Sequence, residues 1–211
     1  MTTVVGGRSG NPMRRLLDAP PPTEAVGERC EMCAEPIAVD HGHLVDLRAR
    51  SLMCTCRGCT LLFSNPGAGS GRFRIVPDRY LSDPAFVLDD AGWDRLQIPV
   101  RMAFFLRNSE LERVVGFYPS PAGATECELP MDGFEQGLGR SPLAAMLEPD
   151  VEALLARGDR GNSSLHLVPV DACYELVGLV RLTWKGFDGG ADARTAIDGF
   201  FGRLADRSRA L

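Results

Sequence analysis

Lysine is nearly missing from this chain: Lys185 stands alone among 23 cationic side chains, the rest being arginine. With abundant Ala, Gly and Pro beside it, that scarcity reads as the mark of a GC-rich genome and says nothing of function. Also missing is any uninterrupted apolar run near the ~18 residues that cross a bilayer. The opening stretch MTTVVGGRSGNPMRRLLDAPPP has no apolar middle of the kind a signal peptide needs. No membrane insertion and a cytoplasmic location are therefore expected. Concentrated positive charge is lacking too, since residues 1–80 carry ten Arg against eight Asp/Glu and residues 81–211 carry thirteen Lys/Arg against twenty. Arg72, Arg74 and Arg79 with Phe73 and Tyr80 make a modest cluster, but Pro77-Asp78 interrupts it and the acidic remainder repels a polyanion. Nucleic acid is not expected as a partner.

Catalytic signatures are absent as well. There is no Ser/His/Asp elbow and no H-E-x-x-H. FSNPGAGSGRF is glycine-rich, yet no Gly-Lys-Ser/Thr follows, so it reads as a turn or linker and not a phosphate loop. His166 lies alone in an apolar strand and reads as a hydrogen-bonded structural histidine. GFYPSPAGATECE, with Tyr118, Ser120, Thr125 and Glu126 around a tight turn, reads as the closing of a hairpin. A non-catalytic protein is expected.

What the chain does have is cysteine in one place. The window CEMCAEPIAVDHGHLVDLRARSLMCTCRGC holds five of the seven cysteines and two of the three histidines. In a reducing compartment such a cluster points to metal before disulfides. Two C-x-x-C pairs, Cys30/Cys33 and Cys56/Cys59, supply four thiolates for a tetrahedral ion, because each short loop turns both sulfurs to one point. Zinc is the expected metal, iron the alternative. Between the pairs, GHLVDLRARSLMC alternates like a hairpin turning near Arg48–Ser51, and CRGCTLLF can begin a helical turn. Knuckle, hairpin and helix start, in that order, describe a treble-clef-like module.

Cys54 lies two positions before Cys56. If residues 52–56 form a strand, the two point to one face and Cys54 sits close to the metal as a buried neighbour. His41 and His43 could join a mixed Cys/His set if a thiolate were displaced, but read better as histidines at the surface or behind the ligands. Cys127 and Cys173 read as buried thiols.

The organisation expected is a disordered N-terminal arm over 1–27, a four-cysteine zinc-binding module over 28–80 and a partner-binding domain over 81–211. In the last, IPVRMAFFL and RVVGFYPS flank the polar RNSELE as a hairpin, ATECELP adds a short strand and SLHLVPV another. SPLAAMLEPDVEALLARG reads as two short helices broken near Pro149, the second carrying Val151, Leu154 and Leu155 at helical spacing. DACYELVGLVRLTWKG, capped by Asp171 and stopped by Gly186, and ADARTAIDGFFGRLADRSRAL complete the helices. The fold class is α+β, an antiparallel sheet packed by helices on one face.

The strings CEMCAEPI, HGHLVDL, CTCRGCTLLF, GRFRIVPDRY, VVGFYPSPAGATE, LEPDVEALL and VPVDACYELVGLVRLTWKG resemble a domain-of-unknown-function family whose genes accompany actinobacterial high-affinity nickel–iron (NiFe) hydrogenase clusters. The resemblance covers the chain from about Cys30 onward. It implies an accessory role, with a hydrogenase subunit or maturation factor as protein partner. Rubredoxins, which hold one iron with two C-x-x-C pairs, are similar in ligand set alone. Neither knuckle here reads C-P-x-C-G, and Cys33 is followed by Ala34. The backbone donors that tune an iron centre are shaped by those positions, so their absence favours zinc over a rubredoxin-like iron–thiolate electron carrier.

Overall fold

The computed structural model describes residues 27–211 except 66, 160–161 and 187–188. The arm expected over 1–27 lies outside the described residues but for Gly27.

The alternating stretches GHLVD and SLMCT pair antiparallel as β1 (Gly42–Asp46) and β2 (Ser51–Thr55), with Gly42 opposite Thr55 and Asp46 opposite Ser51. Their alternation puts Leu44 and Thr55 fully inside. The Asp46 carboxylate fixes the turn by accepting the N–H groups of Arg48 and Ala49, and it is clamped from the other side by the Arg72 guanidinium. Those Arg72 hydrogen bonds, helped by the backbone donors and opposed by burial, hold its pKa at about 2. Strand β3 (Phe73–Ile75) completes a three-stranded sheet on the free edge of β1. The helix α1 (Arg57–Leu62) leaves β2 at Cys56.

The larger sheet is built from β4 (Leu81–Ser82), β5 (Met102–Asn108), β6 (Arg113–Ser120), β7 (Gly123–Cys127), β8 (Glu152–Asp159), β9 (Asn162–Pro169) and β10 (Arg209–Ala210), in the order β10-β4-β9-β8-β5-β6-β7. All its pairings are antiparallel except β10 beside β4. The α+β class with antiparallel sheets is thus seen directly. So is the hairpin across RNSELE, where Asn108 faces Arg113.

One expected helix is a strand. Val151, Leu154 and Leu155 fit helical spacing, yet Glu152–Asp159 is β8, hydrogen-bonded on both sides between β9 and β5. A central strand covered on both faces has apolar residues at consecutive positions, and over so short a run that pattern mimics a helix. Leu154 and Leu155 are both wholly buried and point to opposite faces.

That burial requires two covering layers, and the expectation of helices on one face is corrected accordingly. On one side Leu154, Ala156, Phe105, Leu165 and Leu167 meet Trp93 of α2 (Asp90–Arg95), Phe134 of α3 (Met131–Gln136) and Leu143 of α4 (Pro142–Met146). On the other, Ala153, Leu155, Phe104 and Val168 meet Cys173 and Leu176 of α5 (Val170–Thr183) and Phe200, Phe201 and Leu204 of α6 (Gly190–Arg207). Each buried leucine contributes ~1.5–3 kcal/mol. Cys173 is buried as expected, and Cys127 is half-buried against the first core.

The cysteine-rich part is packed against the rest. Val45, Leu47, Leu52 and Val76 join Val151, Val170 and Leu106 in a third apolar cluster. Arg79 makes two parallel bonds, 2.8 and 2.6 Å, to the carboxylate of Glu152, which has no exposed surface. The Glu148 N–H adds a third donor to that carboxylate. Helix α5 begins with Pro169 at its cap and ends at Trp184, so neither Asp171 nor Gly186 has the capping role expected. Asp171 lies within the first turn and faces His43 of β1.

Candidate metal centre

The two C-x-x-C segments turn in different ways and arrive at one point. In the first, an antiparallel bridge joins Arg29 to Pro36, Cys30 donates its N–H to the Glu35 carbonyl, and Ala34 donates to the Cys30 carbonyl at 2.8 Å. Closing that loop puts Ala34 at φ 62°, the left-handed region where a side chain is uncommon. In the second, Cys56 is the N-cap of α1, with φ −69° and ψ 159°, and its Sγ accepts the N–H of Cys59 at 3.4 Å. Thr60 locks the cap, bonding through Oγ1 to the Cys56 carbonyl and to Thr55 Oγ1.

The Sγ atoms of Cys30, Cys33, Cys56 and Cys59 consequently lie within 4.8 Å of one another, with Cys33 and Cys56 3.7 Å apart. A tetrahedral ion with sulfur arms of ~2.3 Å needs edges of about 3.8 Å, so the spacing fits a four-thiolate shell. Cys30 and Cys59 are buried, Cys56 is intermediate and Cys33 is exposed. Burial works to raise the Cys30 thiol, but N–H groups of Cys56, Met32 and Cys33 turned toward its sulfur bring it down to about 6. Cys59 is pushed up to about 12, first by its hydrogen bond with Cys33 and then by burial. The Cys30 thiolate is thus stabilised by the backbone while that of Cys59 is resisted by its neighbours, a resistance that a bound cation would relieve.

Cys54 belongs to a different group from these four. The strand ends at Thr55 and Cys56 has already turned into the helix cap, so the two-residue alternation that would place Cys54 and Cys56 on one face stops short. Cys54 instead lies opposite His43 in the hairpin and converges with His41 and His43, one ligand atom of each within 4.8 Å of the others. Nor are the histidines at the surface, their side chains being 8% and 18% exposed.

The remaining candidates resolve into structural roles. Ser120 Oγ bonds the Gly123 carbonyl and Thr125 Oγ1 and accepts the Ala122 N–H, closing the β6–β7 turn. Arg72, Arg74 and Arg79 are each committed to an internal carboxylate: Asp46, Asp150 and Glu152. Sequence reasoning gave no sign of a cavity of about 460 Å³ between the β1–β2 hairpin and the larger sheet, floored by Leu52, Leu106, Phe117 and Val170 and rimmed by Arg48 and Glu110. It depends on the docking of the two sheets.

An antiparallel α+β chain with a clustered four-cysteine group that could bind a metal ion is the class that fold and site define. Its family is the family of unknown function DUF5947, whose model matches residues 29–208, and the chain belongs to it. No curated protein and no solved structure matches. Among the described residues no helix is long and apolar enough to cross a membrane.

Proposed function

We propose that this chain is a non-catalytic, zinc-containing accessory protein whose four-cysteine module, residues 28–80, presents a docking surface and whose residues 81–211 form a partner-binding α+β domain. The observation that carries the reading is the convergence of Cys30, Cys33, Cys56 and Cys59 at tetrahedral spacing. The order of knuckle, hairpin and capped helix supports a treble-clef module. Zinc is favoured over iron because neither knuckle carries C-P-x-C-G, although Ala34 takes up the left-handed conformation a glycine there would adopt. A protein partner is favoured because Leu61 and Leu62, on the helix that bears Cys59, are 59% and 70% exposed. Nucleic acid is disfavoured by the commitment of Arg72, Arg74 and Arg79 to carboxylates. The resemblance to a family whose genes accompany hydrogenase clusters supports a hydrogenase subunit or maturation factor as the partner and the cytoplasm as the compartment.

A rubredoxin-like iron–thiolate carrier is the second reading, supported by the exposure of Cys33, which would bring an electron donor close to the metal. Metal analysis with a visible spectrum of freshly purified protein separates the two. Bound zinc and no colour are expected, with loss of metal on Cys30→Ser or Cys59→Ser, and co-isolation of a hydrogenase protein at physiological salt. The colour of ferric thiolate supports the carrier instead. Recovery of nucleic acid that falls steeply with salt, without a protein partner, overturns the adaptor reading.

A further inference from the structure

His43 and Cys54 are direct cross-strand partners in the β1–β2 hairpin, so their side chains rise from the same face. His41 precedes His43 by two residues and lies beside it, with ring centroids 4.7 Å apart. The orientation of each ring is set from behind. His41 Nδ1 is 2.8 Å from the Ala38 carbonyl oxygen, which can only accept, so Nδ1 carries the proton. His43 Nδ1 is 3.2 Å from Asp171 Oδ2 at the start of α5, in ion-pair contact with that carboxylate. The His41 ring is therefore left with Nε2 as its lone-pair nitrogen.

Histidines that hold metals are arranged this way, one nitrogen tied to a carbonyl or carboxylate and the other facing the ion. His41 Nε2 is buried and has no hydrogen-bond partner, not even the nearby Cys54 thiol, and Asp171 Oδ1 is buried without a partner too. A buried lone pair left unsatisfied is destabilising, a cost that a bound cation removes at His41. Cys54 has a thiol that could face the same ion, since one ligand atom from each of the three residues converges within 4.8 Å.

We propose that His41, His43 and Cys54 form a second metal site, separate from the four-cysteine group, that binds a divalent transition-metal ion of the zinc class. Two imidazoles and one thiolate are borderline-to-soft donors, suited to zinc, cobalt or copper and unsuited to magnesium or calcium. Among the described residues the converging set holds three ligands and no fourth. A three-ligand site leaves a position for water or an exogenous ligand, unlike a closed four-thiolate site. Asp171 acts as the positioning residue: it holds the His43 ring and is outside the converging set. The two sites share no ligand, but Cys54 and Cys56 are separated by Thr55 alone, so the ions are neighbours.

Equilibrium dialysis of the full chain against zinc, with metal counted per folded protein, tests the assignment, and cobalt loading supplies a spectroscopic signature. His41→Gln, His43→Gln and Cys54→Ser should each lose one equivalent of zinc relative to wild type while keeping the wild-type circular dichroism spectrum. They should also lose the cobalt absorption bands of a single-thiolate site. Asp171→Asn should keep that equivalent with roughly ten- to hundredfold weaker affinity. Zinc content and cobalt spectrum unchanged in His41→Gln and Cys54→Ser overturn the proposal. Failure of the four-cysteine reading looks different: Cys30→Ser would then leave zinc content unaltered, while the equivalent that depends on His41 remained.

Discussion

His166 sits in β9 between Leu165 and Leu167 with 5% of its surface exposed. Its Nδ1 lies 3.2 Å from Ser208 Oγ, and that hydroxyl gives its own hydrogen to the Leu204 carbonyl. Ser208 is thereby an acceptor, and the ring is neutral with Nδ1–H donated. Burial pushes the pKa of His166 down from 6.5 to about 4. The unfolded ring takes up a proton near pH 6.5 while the folded ring does so only near 4, so the neutral ring favours the fold above 6.5. Stability from this source falls as pH drops from 6.5 to 4 and is level below, by an amount on the order of 3 kcal/mol. Denaturant unfolding of wild type and His166→Gln across that window should show the wild type losing ground that the variant does not. Parallel pH profiles would mean that the ring ionises without disturbing the core. Arg79 illustrates another residue-scale effect, since Glu152 has no exposed surface and would be left as an unpaired buried charge without it. Removing one partner of such a pair typically costs about 3–5 kcal/mol.

Among the elements, α1 and β1 are in closer contact than any alternation in sequence reveals. A Cβ built on Gly42 would lie 2.4 Å from Thr60 Oγ1, the atom that locks the Cys56 cap. Gly42→Ala should therefore shift α1 away from the hairpin, at a cost of ~1–3 kcal/mol. Because metal binding and folding of such a module are coupled, a competition titration with a zinc chelator should find metal affinity at the four cysteines weakened by roughly tenfold or more. Unaltered affinity would show that the hairpin and helix can part without disturbing the knuckle. Elements of this local kind were the readable ones: the β1–β2 and β5–β6 hairpins, β7, β9 and α6 each announce themselves by spacing within one short window. Strand β8 did not, because its consecutive apolar residues serve two cores at once. Strands β3, β4 and β10 are too short to carry a period, and their partners are remote in sequence. The site divides in the same way. Two C-x-x-C pairs state their chemistry within four residues each, whereas the grouping of His41, His43 and Cys54 depends on hairpin register and on where β2 ends.

At the scale of the whole molecule, the question is how far the two sheets depend on each other. Their shared apolar cluster and the Arg74–Asp150, Arg79–Glu152 and His43–Asp171 contacts tie them together. Each core of the larger sheet is nonetheless closed by its own helices. Chelation should then melt residues 28–80 and leave the larger sheet intact: far-ultraviolet circular dichroism should fall only in part, with amide protection retained in β5, β6, β8 and β9. A single cooperative loss of all structure would make the chain one folding unit. The placement of β4 has a temporal consequence. It is wedged between β9 and β10, with Leu81 opposite Leu167 and beside Arg209, so both of its neighbours are synthesised long after it. The β5–β6–β7 meander and the β8–β9 hairpin close short loops and can assemble early, while β4 waits for long loops to close at greater entropic cost. During synthesis, the segment leading from the cysteines must remain unpaired until β9 has been made, and β10, emerging later still, is the strand that seals it in place.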